Sequence, residues 1–155
     1  MTLIVFFRHG KAEPKMPGVD DRERRLTEEG AADVECAARL LRGMGVVRIL
    51  TSPYRRAIQT AEILARTLDL EYSVVEWLAP DSDVSVEDLP RLGVGDGYVL
   101  VGHNPWMEDT VTELAGGFLE LKAGGFAVVE VESFKAGGGK LLSLVNPGVI
   151  SICQR

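Results

Sequence analysis

From Leu3 to Phe7 the chain is apolar at every position, and the same holds, tyrosine included, from Tyr98 to Val101. A β-strand turns alternate side chains to opposite faces, so a strand that is apolar throughout needs cover on both sides. That requirement places both runs inside a sheet with helices above and below it. Helical patterns fill the intervals. Thr27 reads as the N-cap of a helix with Glu28 and Glu29 in its first turn, Ala31, Val34, Ala38 and Leu41 on its apolar face, and a stop near Gly43. Ser52 and Pro53 read as cap and first residue of a second helix, with Ile58, Ala61, Ile63, Leu64 and Leu68 on its apolar face as far as Asp69. Asn104 and Pro105 repeat that start for a third.

Thr2 to Phe7, Val46 to Leu50, Tyr72 to Trp77 and Tyr98 to Val101 are predicted strands. Pro80 to Asp88 reads as an acidic turn followed by a short helix. Phe126 to Val131 and Leu141 to Val145 read as a hairpin pair joined through the glycine-rich stretch Lys135 to Lys140. Strand and helix alternate, which predicts an α/β fold of three layers, α/β/α, with a mainly parallel central sheet and an antiparallel edge. The 155 residues, 46% of them hydrophobic, fit one domain spanning residues 1–155.

Against that frame the placement of the histidines becomes informative. The chain has two, and each sits just past one of the apolar runs, in Phe7-Arg8-His9-Gly10 and in Val101-Gly102-His103-Asn104-Pro105. Open α/β sheets bind ligands outside the carboxyl ends of their strands, so both are expected to reach one pocket. A third junction carries Ser52-Pro53-Tyr54-Arg55-Arg56-Ala57, with two arginines in a helix's first turn. Arginine forks and helix N-termini together suit a phosphoryl group better than a carboxylate or a metal. Glycines at 10 and 102 are expected to let backbone approach the anion. A neutral imidazole among guanidinium groups is a competent nucleophile for phosphorus, because the nearby charge disfavours the protonated ring. His9, beside Arg8, is the better candidate. Taken singly, each histidine fits ordinary core packing; four such residues at three junctions do not. The adjoining arginines repel a cation, and no H-x-x-x-H or C-x-x-C spacing occurs, so no metal is expected.

The net charge of −6 argues against nucleic acid or an anionic membrane as partner. Leu3 to Phe7 is too short for a signal-peptide core, and no segment approaches the ~18 apolar residues of a membrane span. Cys36 and Cys153 suggest neither a disulfide framework nor a zinc site, which makes a reducing cytoplasm the expected setting. No long exposed apolar seam is visible, so a monomer is expected. The polar stretch Lys11 to Arg25 reads as a loop long enough to cover a site, with Arg22 to Arg25 as a solvated charge run. Trp77 and Trp106 read as core or rim packing.

At these residues the sequence resembles the histidine phosphatase superfamily, also called phosphoglycerate-mutase-like. Its R-H-G signature appears as Arg8 to Gly10, its S-P-x-x-R-A-x-Q-T-A signature as Ser52 to Ala61, and its G-H-N-P signature as Gly102 to Pro105. The short length, the D-x-x-R-x-L-T-x-x-G stretch from Asp21 to Gly30 and the V-G-H-N-P form resemble the SixA-like phosphohistidine phosphatases. The resemblance implies that His9 becomes transiently phosphorylated while Arg8, Arg56 and His103 hold the transferring oxygens. Arg56, not Arg55, occupies the motif position. Gly10, Ser52, Gly102, Asn104 and Arg24 are the accompanying substrate-binding candidates, and no cofactor or metal is implied.

One departure bears on the substrate. Ester-cleaving branches carry an acid shortly after the third strand to protonate an alcohol leaving group, and here Pro80 falls about there. Glu76, Asp81 and Asp83 are the nearby substitutes, and none aligns cleanly. The gap favours phosphohistidine, borne on a phosphotransfer protein of a relay, over sugar or nucleotide phosphates. A small-molecule phosphomonoesterase on the same site and a phosphoprotein-binding module without turnover are the alternatives.

Overall fold

The structure is a computed structural model and describes residues 1–150. Strands β1 (Thr2–Arg8), β2 (Arg48–Thr51), β3 (Tyr72–Val74), β4 (Tyr98–Gly102), β5 (Phe126–Val131) and β6 (Gly139–Val145) form one sheet in the order β3-β2-β4-β1-β5-β6. β3, β2, β4 and β1 are parallel neighbours, while β5 and β6 are antiparallel. This is the predicted mixed sheet with its antiparallel edge.

The uninterrupted apolar run of β1 is explained by what lies on either side. Ile4 to Phe7 are fully buried. Val5 and Phe7 face helices α1 (Glu28–Leu40) and α2 (Arg55–Leu68) together with Val99, Val101 and Phe126. Ile4 and Phe6 face the opposite layer, made by α3 (Trp106–Ala115) and the 3₁₀ turns Glu76–Leu78 and Val86–Asp88. Phe7 stacks on Phe126 at 5.7 Å between ring centroids. Trp106 belongs to this second layer, donating its indole N–H to the Val84 carbonyl at 2.9 Å.

Several element boundaries differ from the sequence reading. α1 is capped by the Thr27 hydroxyl, which accepts from the Gly30 N–H at 2.9 Å as expected, but its last helical residue is Leu40. α2 begins at Arg55 with Tyr54 as a cap that makes no side-chain bond, because the Ser52 hydroxyl forms a turn one step earlier by accepting the Tyr54 N–H. α3 begins after Pro105 rather than after Asn104. β3 stops at Val74 because its partner β2 ends at Thr51, which pairs with Val74. β6 starts two residues before Leu141, at Gly139. It is an edge strand that exposes Leu141, Leu142 and Leu144, an apolar seam the sequence reading did not expect. Cys36 is disulfide-bonded, against the expectation of no disulfide, so the cysteines do not argue for a reducing compartment. Cys153 lies outside the described residues. Among the described residues no helix is long and apolar enough to cross a membrane.

Candidate active site

Three adjacent parallel strands deliver the floor of the site. β4 lies between β1 and β2, in register with both: Arg8 opposes Gly102, and Thr51 opposes Val101. His9, His103 and Ser52 each follow the last residue of their strand, so they emerge side by side. The His9 N–H donates to the Gly102 carbonyl and the Ser52 N–H to the Val101 carbonyl, at 3.0 and 2.9 Å, extending the ladder past the strand ends. The two imidazoles lie 5.0 Å apart between ring centroids. Arg56, in the first turn of α2 and 4% exposed, donates its Nε–H to His9 Nε2 at 3.3 Å. Its neighbour Arg55 turns outward to Glu23 at 2.7 Å.

The electrostatics of this floor fix the state of His9. Its Nδ1 lies 2.7 Å from the Gly10 carbonyl, which can only accept, so Nδ1 carries the proton and Nε2 keeps its lone pair. Burial, chiefly, lowers the ring's pKa from 6.5 to about 3; the charges of Arg56, Arg8 and Arg24 push the same way against the bond to Gly10. His103 is likewise lowered to about 3, by burial first and then by His9, Arg56 and Arg8, with Asp21 opposing. Both rings are therefore neutral at physiological pH. Arg8 donates through Nη1 to the Leu121 carbonyl at 2.9 Å. Arg8 Nε and His103 Nδ1 are buried with no hydrogen-bond partner among the described residues. Unpaired buried groups of this kind cost about 1–3 kcal/mol each, and both belong to residues that line the pocket.

The loop after β1 forms a wall. Asp21, in a 3₁₀ turn (Asp21–Glu23), accepts from Arg56 Nη1 through its carbonyl at 2.8 Å and from Arg56 Nη2 through Oδ2 at 3.3 Å. Its Oδ1 accepts from Arg24 Nε at 2.7 Å. Burial works to raise the Asp21 carboxyl, but the Arg24 bond and the charges of Arg56 and Arg24 bring it below the ordinary carboxylate range. Tyr54 packs its ring edge on His103 at 5.2 Å and its face under the Arg56 guanidinium at 5.1 Å. Floor and wall enclose a pocket of about 450 Å³, to which Arg8, Lys11, Lys15, Arg24 and Arg56 contribute five cations and Asp21 the one carboxylate. A chain of net charge −6 thus gathers positive charge at one place. Among the described residues no group of three or more histidine, cysteine or carboxylate side chains forms a metal site.

Comparison with known proteins agrees with this geometry. A family model described as histidine phosphatase superfamily (branch 1) matches residues 4–79, which include His9 and Arg56. Phosphohistidine phosphatase SixA of Escherichia coli (strain K12) is 32% identical over 123 residues, covering 74% of each chain. The chain belongs to the histidine phosphatase superfamily. An uncharacterized protein of Picosynechococcus is 36% identical over 133 residues, which is 79% of this chain and 81% of that one. A solved structure of the protein histidine phosphatase SixA complexed with tungstate superposes with a TM-score of 0.80 at 26% identity, covering 96% of this chain and 99% of the other.

Within this histidine phosphatase fold the predicted residues divide into those that face the pocket and those that stand behind it. Arg8, His9, Arg56, His103, Asn104 and Arg24 line it. Gly10 does not: a Cβ there would lie 2.8 Å from Val34 Cγ2, and its N–H goes to Thr60, so the glycine lets α1 pack close rather than an anion. Gly102 acts similarly, with Met107 2.9 Å from an added Cβ. Ser52 is fully buried behind His103. Asn104 lines the pocket but uses its amide structurally, donating to the Leu121 carbonyl and accepting from the Glu108 N–H. Arg24 is not part of a solvated run, as its neighbours are; it lies against Asp21 with 17% of its side chain exposed. Sequence reasoning missed Asp21, Lys11 and Lys15. Asp21 opens the D-x-x-R motif stretch and was there to be seen; the lysines were visible only as part of a polar loop.

Proposed function

We propose that this protein is a metal-independent phosphatase that hydrolyses phosphohistidine on a protein, with His9 as the transient phosphoryl acceptor. The observation that carries this reading is that the pocket offers no carboxylic acid to an alcohol leaving group. Pro80, which falls in sequence about where ester-cleaving branches carry their acid, lines it. Glu76, Asp81 and Asp83 are exposed and do not line it, and Glu76 faces Arg22 at 3.7 Å. Asp21 is held ionised by two arginines. An alkoxide leaves poorly without a proton, whereas a phosphohistidine ring protonated on its far nitrogen leaves as neutral imidazole.

The site's residues serve that chemistry as follows. The His9 Nε2 lone pair forms a bond to phosphorus while the bond to the substrate's ring nitrogen breaks and its electron pair returns to that ring. The Gly10 carbonyl accepts from Nδ1–H throughout, steadying the charge His9 acquires. Arg8, Arg56 and His103 hold the equatorial oxygens, taking the place that a metal ion occupies in many other phosphoryl-transfer enzymes. Water then attacks phosphorus, releasing phosphate and restoring His9.

The similarity to phosphohistidine phosphatase SixA of Escherichia coli and to a solved structure of the protein histidine phosphatase SixA with an oxyanion, tungstate, supports the substrate class. The expected substrate is a phosphotransfer protein of a signalling relay. A paired assay tests this on a phosphohistidine-bearing phosphotransfer domain and a panel of sugar, nucleotide and aryl phosphates, with His9→Ala as control. Faster release from phosphohistidine, lost in the variant, is the expected result; preference for an ester moves the enzyme to the phosphomonoesterase reading.

A further inference from the structure

We propose that Ser52 is a positioning residue that holds His103 in the tautomer with its proton on Nδ1, so that this ring presents an N–H to the transferring phosphoryl group. The inference rests on the phosphoryl-transfer reading of the site and adds to it a group that acts through another.

Ser52 Oγ lies 2.8 Å from His103 Nε2 and accepts the Tyr54 N–H at 3.1 Å. Both residues are buried, Ser52 completely. Among the described residues the Ser52 hydroxyl has no other hydrogen-bond acceptor, so two protonation patterns are possible. In the first, the hydroxyl donates to Nε2 and the imidazole proton sits on Nδ1. In the second, Nε2–H donates to Oγ, which leaves the hydroxyl proton buried without an acceptor and Nδ1 as a buried lone pair without a donor. The first pattern leaves one unmatched group and the second leaves two, so the first is the stable one. The remaining group, Nδ1–H, is a donor on a pocket-lining ring beside His9, and a phosphoryl oxygen is its natural complement.

His9 shows why the device is needed. Its tautomer is set by the Gly10 carbonyl, a backbone acceptor that no side-chain substitution removes. His103 has only a serine hydroxyl for the purpose, and that hydroxyl is directed by the Tyr54 N–H at its back. The sheet register supplies the rest: Ser52 and His103 follow strands whose ends are paired Thr51 to Val101. A serine at this position reads from sequence as a helix cap, yet the helix starts three residues later.

The test is NMR of the imidazole nitrogens in the full chain near neutral pH, where both rings are uncharged and the shifts report tautomer alone. With two histidines in the sequence, His9→Ala assigns the spectrum. The expected wild-type pattern for His103 is a protonated Nδ1 and an unprotonated Nε2. In Ser52→Ala the proton redistributes toward Nε2 while the His9 shifts stay fixed, which shows that the fold is intact. The same variant loses up to about tenfold in kcat on the phosphohistidine domain, the worth of one neutral hydrogen bond, with a smaller change in KM. A proton on Nε2 in the wild type, or His103 shifts that ignore Ser52→Ala, overturns the proposal. Absence of wild-type phosphohistidine turnover overturns the functional reading and leaves the tautomer result standing.

Discussion

The floor and the wall of the pocket are held by different forces. On the floor, His9, His103 and Arg56 are between 4% and 8% exposed and sit at strand ends or in a helix's first turn, fixed by backbone ladders and by the apolar layers beneath. The wall, from Lys11 to Arg25, contains one 3₁₀ turn and is held to the body by charge: Asp21 to Arg56, Glu23 to Arg55 and Lys11 to Glu29. The Glu23–Arg55 and Lys11–Glu29 pairs are exposed and worth about 0–1 kcal/mol each, whereas Asp21 meets a buried Arg56, so away from Asp21 the wall is the part that can yield. Its root is firmer. Glu13 N–H donates to the Arg25 carbonyl at 2.8 Å, and Gly30 has no Cβ where the Lys11 carbonyl packs against α1. The difference separates duties: the floor sets the geometry of the chemistry, and the wall governs access and the grip on Arg56.

The largest effect expected is on the floor. His9→Ala removes the acceptor and is expected to lower kcat/KM on phosphohistidine by at least about a thousandfold while leaving anion binding measurable. Stopped assays with a radiolabelled phosphodomain, together with trapping of the phosphoenzyme in the wild type, check this. Next comes the one residue that joins the two regions. Asp21→Asn keeps the shape but loses the charge that faces Arg24 and Arg56, and a loss of about 10- to 100-fold, mainly in kcat, is expected because Arg56 is freed from its position. Glu23→Gln touches only the outward Arg55 and is expected to cost less than about threefold. Equal effects of the two would mean that the floor alone positions Arg56.

The same contrast governs what the sequence made legible. The floor follows from patterns that sequence carries directly: runs apolar at every position mark strands covered on both faces, and histidines and arginines just past such runs must gather at one sheet edge. The wall depends on which of several neighbouring charges pair. In Asp20, Asp21, Arg22, Glu23, Arg24 and Arg25 nothing local distinguishes the carboxylate that turns inward, because the choice is made by the distance to Arg56, 35 positions away in the chain. The glycines misled for a related reason. Gly10 and Gly102 looked like room for an anion and proved to be room for α1 and for Met107. Small size is visible in a sequence; what approaches it is not.

Acid should discriminate the regions through stability. His9 and His103 have pKa values near 3 in the fold against 6.5 when unfolded, so the unfolded chain binds protons that the native floor refuses. Stability is full above about pH 6.5 and falls as pH drops towards 3, with a slope approaching about 1.4 kcal/mol per pH unit for each ring. Denaturant titrations between pH 7 and pH 4 measure it. In His103→Gln one ring's share disappears and the slope flattens; an unchanged slope would mean that the floor is less dry than its burial indicates.

The smallest effect lies on the wall. Lys15 lines the pocket, is exposed, and has no ion-pair partner among the described residues, unlike Lys11, which is tied to Glu29. A free ammonium at the mouth attracts an anionic substrate without touching the transferring group. Lys15→Ala is therefore expected to raise KM by about two- to fivefold at low salt with kcat unchanged, the difference fading near 1 M salt where the Debye length is about 3 Å. Steady-state kinetics across ionic strength separates the possibilities. A fall in kcat that persists at high salt would place the lysine on the phosphoryl oxygens, and the wall would then share the chemistry otherwise confined to the floor.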